Sequence, residues 1–85
     1  MKVDDVIKLM DELVNDRTIP RNIRSAIESA KQSLLDESQS EDVRISAAIT
    51  TLDEVTNDPN MPMHARTLIW NVVSRLEELR SRLKI

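Results

Sequence analysis

Four stretches of the chain place apolar side chains at helical spacing. Val3, Val6, Ile7, Met10 and Leu13 form the first set, and Ile23, Ala26, Ile27, Ala30 and Leu34 the second. Ile45, Ala48, Ile49, Leu52 and Val55 form the third, and Ala65, Leu68, Ile69, Val72 and Leu76 the fourth. At about 100° per residue each set stays on one side of a helix, with polar residues on the other. No stretch alternates with the period of two that a half-buried strand requires. The pattern predicts amphipathic helices over about 2–15, 19–36, 40–57 and 61–83, and an all-α fold.

The pattern is also written twice. Shifted by 42 residues, the chain matches itself without a gap at nine of the 28 positions from Ile7 to Leu34. The identities are Ile7/Ile49, Asp11/Asp53, Glu12/Glu54, Asn15/Asn57, Asp16/Asp58, Pro20/Pro62, Arg24/Arg66, Ile27/Ile69 and Leu34/Leu76. Each unit is a helical hairpin, of a length found in HEAT and armadillo repeats. Two copies are too few to bury the faces of a solenoid, which takes about three. The expected architecture is therefore a single domain over 1–85, with one hairpin over about 1–38 and the other over about 39–85. The hairpins close on each other as an up-and-down four-helix bundle.

Local signals set the boundaries. Asn15-Asp16 and Asn57-Asp58 favour turns over helix interiors. Pro20 and Pro62 suit the first turn of a helix, with Thr18 and Asn60 as N-caps two residues earlier. Ser38-Gln39-Ser40-Glu41 offers a capping box before the third helix.

Composition removes several functions. There is no cysteine, which excludes disulfides and thiolate metal sites, and no glycine, which removes phosphate-cradling loops and nucleophile elbows. No segment is apolar over a bilayer's width, and Met1-Lys2-Val3-Asp4-Asp5 lacks the core of a signal peptide. A cytoplasmic protein with no membrane contact is expected. The net charge is −3, distributed as −4 over residues 1–42 and +1 over residues 43–85. That balance argues against non-specific nucleic-acid binding, which needs a concentrated basic face. Arg75, Arg80, Arg82 and Lys84 crowd the end of the fourth helix, where its C-terminal dipole accounts for them.

Among polar residues, Asp11, Arg24, Asp53 and Arg66 recur in both units and are candidate structural pairs. Each arginine is expected to cross its own hairpin to an acidic residue or to loop carbonyls. A shared carboxylate metal site would need Asp11, Glu12, Asp53 and Glu54 to converge, and the single histidine, His64, lacks the spacing of di-metal bundles. Asp58 is the carboxylate across the loop from His64, but no nucleophile stands beside them, so a triad is not supported. No catalytic residue, metal or cofactor is expected.

The mismatches between the units single out one surface. Relative to the fourth apolar stripe, Val73 falls near 80°, Trp70 near 140° and Met63 near 160°, at about 100° per residue. The equivalent positions in the first unit are Lys31, Glu28 and Arg21. Either the C-terminal residues Leu79, Leu83 and Ile85 fold back over Trp70, or Met63, Trp70 and Val73 form a candidate interface for a second copy or another protein.

The run Asn57-Asp58-Pro59-Asn60-Met61-Pro62-Met63-His64-Ala65-Arg66-Thr67-Leu68-Ile69-Trp70 closely resembles a motif of a family of short, uncharacterised archaeal proteins. Asn15-Asp16-Arg17-Thr18-Ile19-Pro20-Arg21-Asn22-Ile23-Arg24 is similar to that family's shorter counterpart. The resemblance extends over nearly the whole chain and implies a small cytosolic four-helix bundle from an archaeon, with no catalytic residue or cofactor to carry over. The functional expectation is a non-catalytic interaction or homo-oligomerising module. The alternative is a nucleic-acid- or ribosome-associated accessory protein.

Overall fold

The computed structural model describes residues 3–83. Its helices are α1 (Asp4–Val14), α2 (Arg21–Leu35), α3 (Glu41–Val55) and α4 (Met63–Leu83), and no strand occurs among the described residues. Each helix packs against two others in the ring α1–α2–α3–α4, and α4 closes the ring on α1. The backbones of the diagonal pairs, α1 with α3 and α2 with α4, do not come close among the described residues. The molecule measures 39 × 21 × 20 Å. Since a helix with its side chains is about 10–12 Å wide, the cross-section is two helices by two. This is a four-helix bundle with short loops.

The helix starts differ from the sequence reading in an instructive way. Pro20 and Pro62 stand immediately before α2 and α4, not inside the first turn. The Pro20 carbonyl accepts from the Ile23 and Arg24 N–H groups at 3.1 and 3.0 Å, and the Pro62 carbonyl accepts from Arg66 N–H at 3.0 Å. Thr18 and Asn60 are therefore not N-caps. An aspartate two residues earlier takes each of their N–H groups, at 2.9 Å for Asp16 and 2.8 Å for Asp58, closing an Asx turn instead. Before α3 the capping box is only half formed. Ser40 Oγ accepts from Val43 N–H at 3.4 Å, whereas Ser38 turns back to Asp36. The third residue of α3 is a valine, so no carboxylate can return the bond.

The core contains the predicted stripes, with Ile7, Ala26 and Leu68 only partly buried at its margin. It also takes in two loop residues, Ile19 and Met61, each fixed by an N–H bond to the carbonyl of Asp16 or Asp58. They occupy positions 42 residues apart and plug the same end of the bundle. No polar or charged residue is buried among those described, so burial of apolar surface drives association of the helices. The α2–α3 seam is more extensive than the α1–α4 seam. At buried positions the small residues Ala30 and Ala48 stand where the other hairpin carries Val72 and Val6, which suits a closer helix approach. Arg44 on α3 adds to this seam by donating Nε and Nη2 to the Leu34 carbonyl at 2.9 and 2.6 Å. It thereby satisfies one of the carbonyls that the end of α2 leaves open.

Candidate functional site

The loop end of the bundle holds its densest polar network. His64 Nε2, in the first turn of α4, lies 3.0 Å from Asp16 Oδ2 and 3.2 Å from Thr18 Oγ1. Asn22, in the first turn of α2, donates Nδ2 to Asp58 Oδ2 at 2.9 Å. Asn22 and His64 are 42 residues apart, and so are Asp16 and Asp58. Each hairpin thus reaches from the start of its second helix to the turn aspartate of the other. The pairing is a reciprocal clamp between hairpins.

This geometry corrects the pairing of His64 with Asp58 and does not set Thr18 up as a nucleophile activated through the ring. Both His64 contacts meet the same ring nitrogen. A triad needs the carboxylate on one nitrogen and the nucleophile on the other. Thr18 Oγ1 donates to Asp16 Oδ1 at 2.6 Å. Thr18's hydroxyl and N–H, followed by His64, hold the Asp16 carboxyl down from 3.8 to about 2. Because the folded state favours the charged form, Asp16 contributes stability in full above its ordinary value of 3.8, and that contribution is lost as pH falls towards about 2. Thermal melts from pH 5 to pH 2 are therefore expected to decline less steeply for Asp16→Asn than for the wild-type chain over that window. Parallel curves would contradict the assignment.

The recurring arginines and aspartates behave differently in the two hairpins. Arg66 donates Nη1 to the Thr56 carbonyl and Nη2 to the Asp58 carbonyl, the latter at 3.4 Å. It binds loop carbonyls and does not pair with Asp53, whose own carbonyl accepts from Thr56 Oγ1 at 2.7 Å. Asp11 pairs with Lys31 across α1 and α2 at 2.7 Å, not with Arg24. Lys31 is the closer match because it stands on the flank of α2, where its long stem reaches α1. The hydrogen bond to Asp11 raises its pKa. Arg24 Nε is buried without a hydrogen-bond partner among the described residues. Asp11 and Glu12 lie on α1 and Asp53 and Glu54 on α3, at opposite corners of the ring, so these carboxylates do not converge.

The mismatch surface on α4 is divided. Met63 is 74 % exposed and Trp70 57 % exposed, whereas Val73 packs partly buried against the core. α4 continues unbroken to Leu83, which is itself exposed. The tail through Leu83 therefore does not fold back over Trp70, and Ile85 lies outside the described residues. The apolar patch is Met63 and Trp70, with Val73 anchoring its edge.

Comparison with known proteins adds relatives but no chemistry. Residues 1–79 match the model of an uncharacterised protein family, UPF0147. A UPF0147 protein of Methanocaldococcus jannaschii is 52 % identical over 75 residues, covering 88 % of this chain and 81 % of that one. A UPF0147 protein of Thermococcus kodakarensis is 50 % identical over 72 residues, covering 85 % of this chain and 87 % of that one. The crystal structure of a UPF0147 protein from Thermoplasma acidophilum superposes with a TM-score of 0.85 at 41 % identity, covering 89 % of each chain. The chain therefore belongs to the uncharacterised protein family UPF0147.

Proposed function

We propose that this protein is a non-catalytic interaction module that dimerises through the outward face of α4. The observation that carries the reading is the exposure of Trp70 and Met63, one heptad apart on one helix face and each more exposed than Leu35, Val43 and Leu83, the other exposed large apolar side chains among the described residues. Tryptophan and methionine are favoured at interface centres, and a small domain gains stability from such contacts. The charge around the patch favours a second copy as the occupant. Arg66, four residues before Trp70, and Glu77, seven residues after it, lie on the same helical face with opposite charge, so two such faces can meet without net repulsion. No helix among the described residues is long and apolar enough to cross a membrane.

The nucleic-acid reading has less support. Arg75 donates to Asn71 at 3.1 Å and Arg82 to Glu78 at 2.7 Å, so two of the basic residues at the end of α4 are turned onto their own helix. Light scattering over a concentration series tests the proposal. The wild-type chain is expected to reach twice the 9.7 kDa chain mass. Trp70→Ala is expected to weaken the dimer by about thirtyfold or more, as loss of an interface hot spot does. A monomer at every concentration, or an unchanged dimer after Trp70→Ala, would refute it.

A further inference from the structure

We propose that α4 of each copy seats across α3 of the other, with Trp70 against the second copy's surface at Ala47 and Thr50. This rests on the α4 dimer proposed above and names the surface that Trp70 meets. Two side chains alone are too little for a stable contact. Trp70 is 57 % exposed, and a tryptophan buries at most about 250 Å². A stable specific interface takes about 800 Å² from each partner. The α4 patch therefore needs a second surface beside it.

α3 supplies one. A shallow groove lined by Asp42, Val43, Ser46, Ala47, Thr50 and Thr51 runs along its outer side, on a helix of 15 residues that is about 22 Å long. Val43, Ala47 and Thr50 are exposed. Thr50 and Thr51 give their hydroxyl protons to the Ser46 and Ala47 carbonyls at 3.0 and 3.1 Å, which leaves a low, largely apolar surface. The first hairpin carries Asp4, Asp5 and Lys8 at the positions of Ser46, Ala47 and Thr50. The second hairpin is therefore less charged than the first on both its helices, with small residues on α3 and large ones on α4.

Both surfaces lie on one side of the bundle. Arg66, one turn before Trp70 on the same face, reaches the Thr56 carbonyl at the end of α3, so Trp70's flank is turned towards α3. A twofold axis parallel to the two helices, on the surface between them, brings α4 of each copy over α3 of the other. Large side chains then meet small ones, which lets the helices approach closely. Burial of Trp70 also requires an acceptor for its indole N–H. The Thr50 hydroxyl oxygen offers one, since its own proton goes to the Ser46 carbonyl. Charge favours the same crossing. α3 carries Glu41, Asp42, Asp53 and Glu54, and its single base, Arg44, is held by the Leu34 carbonyl. On α4 four arginines outnumber Glu77 and Glu78, so the crossing sets unlike charges together.

The test is an isotope-filtered NMR measurement on the full chain, with carbon-13-labelled and unlabelled copies mixed, so that only contacts between copies are seen. Contacts are expected from the Trp70 indole protons to the Ala47 and Thr50 methyl groups of the other copy. Thr50→Glu buries a carboxylate at that contact, and light scattering is expected to show the dimer weakened by about tenfold or more. Thr50 is exposed and glutamate favours helices, so the variant keeps the fold. Lys8→Glu, the equivalent change on α1, is expected to leave the dimer unaltered. Contacts that join α4 only to α4, or a dimer indifferent to Thr50→Glu, would overturn the crossed arrangement while the α4 dimer stands. A chain that stays monomeric at every concentration removes both.

Discussion

Replacing Ile69 with alanine is expected to destabilise the bundle by about 2–5 kcal/mol, the range for truncating a large buried aliphatic residue. Ile69 is completely buried, as is Ile27 at the equivalent position of the first hairpin. Neither has a polar neighbour in the core to soften the loss, because no polar residue is buried among those described. The effect is large for a domain of this size, since total stability is typically about 5–15 kcal/mol. Urea unfolding followed by circular dichroism checks it, with Ile27→Ala expected to cost a similar amount. A cost of less than about 1 kcal/mol at either position would place that residue outside a close-packed core.

The second large effect is a contrast between two arginines that the sequence treats as equals. Arg66→Met is expected to cost about 1.5–3 kcal/mol, because it removes charge-assisted bonds and strands the Thr56 and Asp58 carbonyls at the α3–α4 loop. Arg24→Met is expected to cost much less, since its Nε has no partner to lose and methionine retains much of the apolar stem. Urea midpoints of the two variants, compared in the same buffer, decide the matter. Equal losses would mean that Arg24 makes contacts equivalent to those of Arg66.

These two cases also show how far the sequence could be read. The helices and core were legible because burial imposes a period that the residues display directly, and because the 42-residue offset repeats it. Ile19 and Met61 escaped that reading because they lie in loops, outside any helical stripe, although their equivalence under the offset was visible. The clamp was harder to see. Asp16 and Asp58 are identical between the hairpins, but their partners Asn22 and His64 differ in type and lie on the opposite hairpin. Only the packing of one hairpin on the other brings them together. The partner of Asp11 is hidden from the repeat for a similar reason. Repetition singles out Arg24, whereas geometry selects Lys31, whose counterpart in the second hairpin is the uncharged Val73.

Repetition explains what the hairpins share, and Trp70 belongs to what they do not. It is the only aromatic residue in the chain, so its intrinsic fluorescence reports on the proposed interface alone. The decisive measurement is the emission maximum as a function of protein concentration, recorded alongside the mass. Burial of Trp70 against a second copy predicts a blue shift that rises in step with dimer formation and is absent from Met63→Glu. An emission maximum that stays at the solvent-exposed position while the mass remains 9.7 kDa would contradict the account.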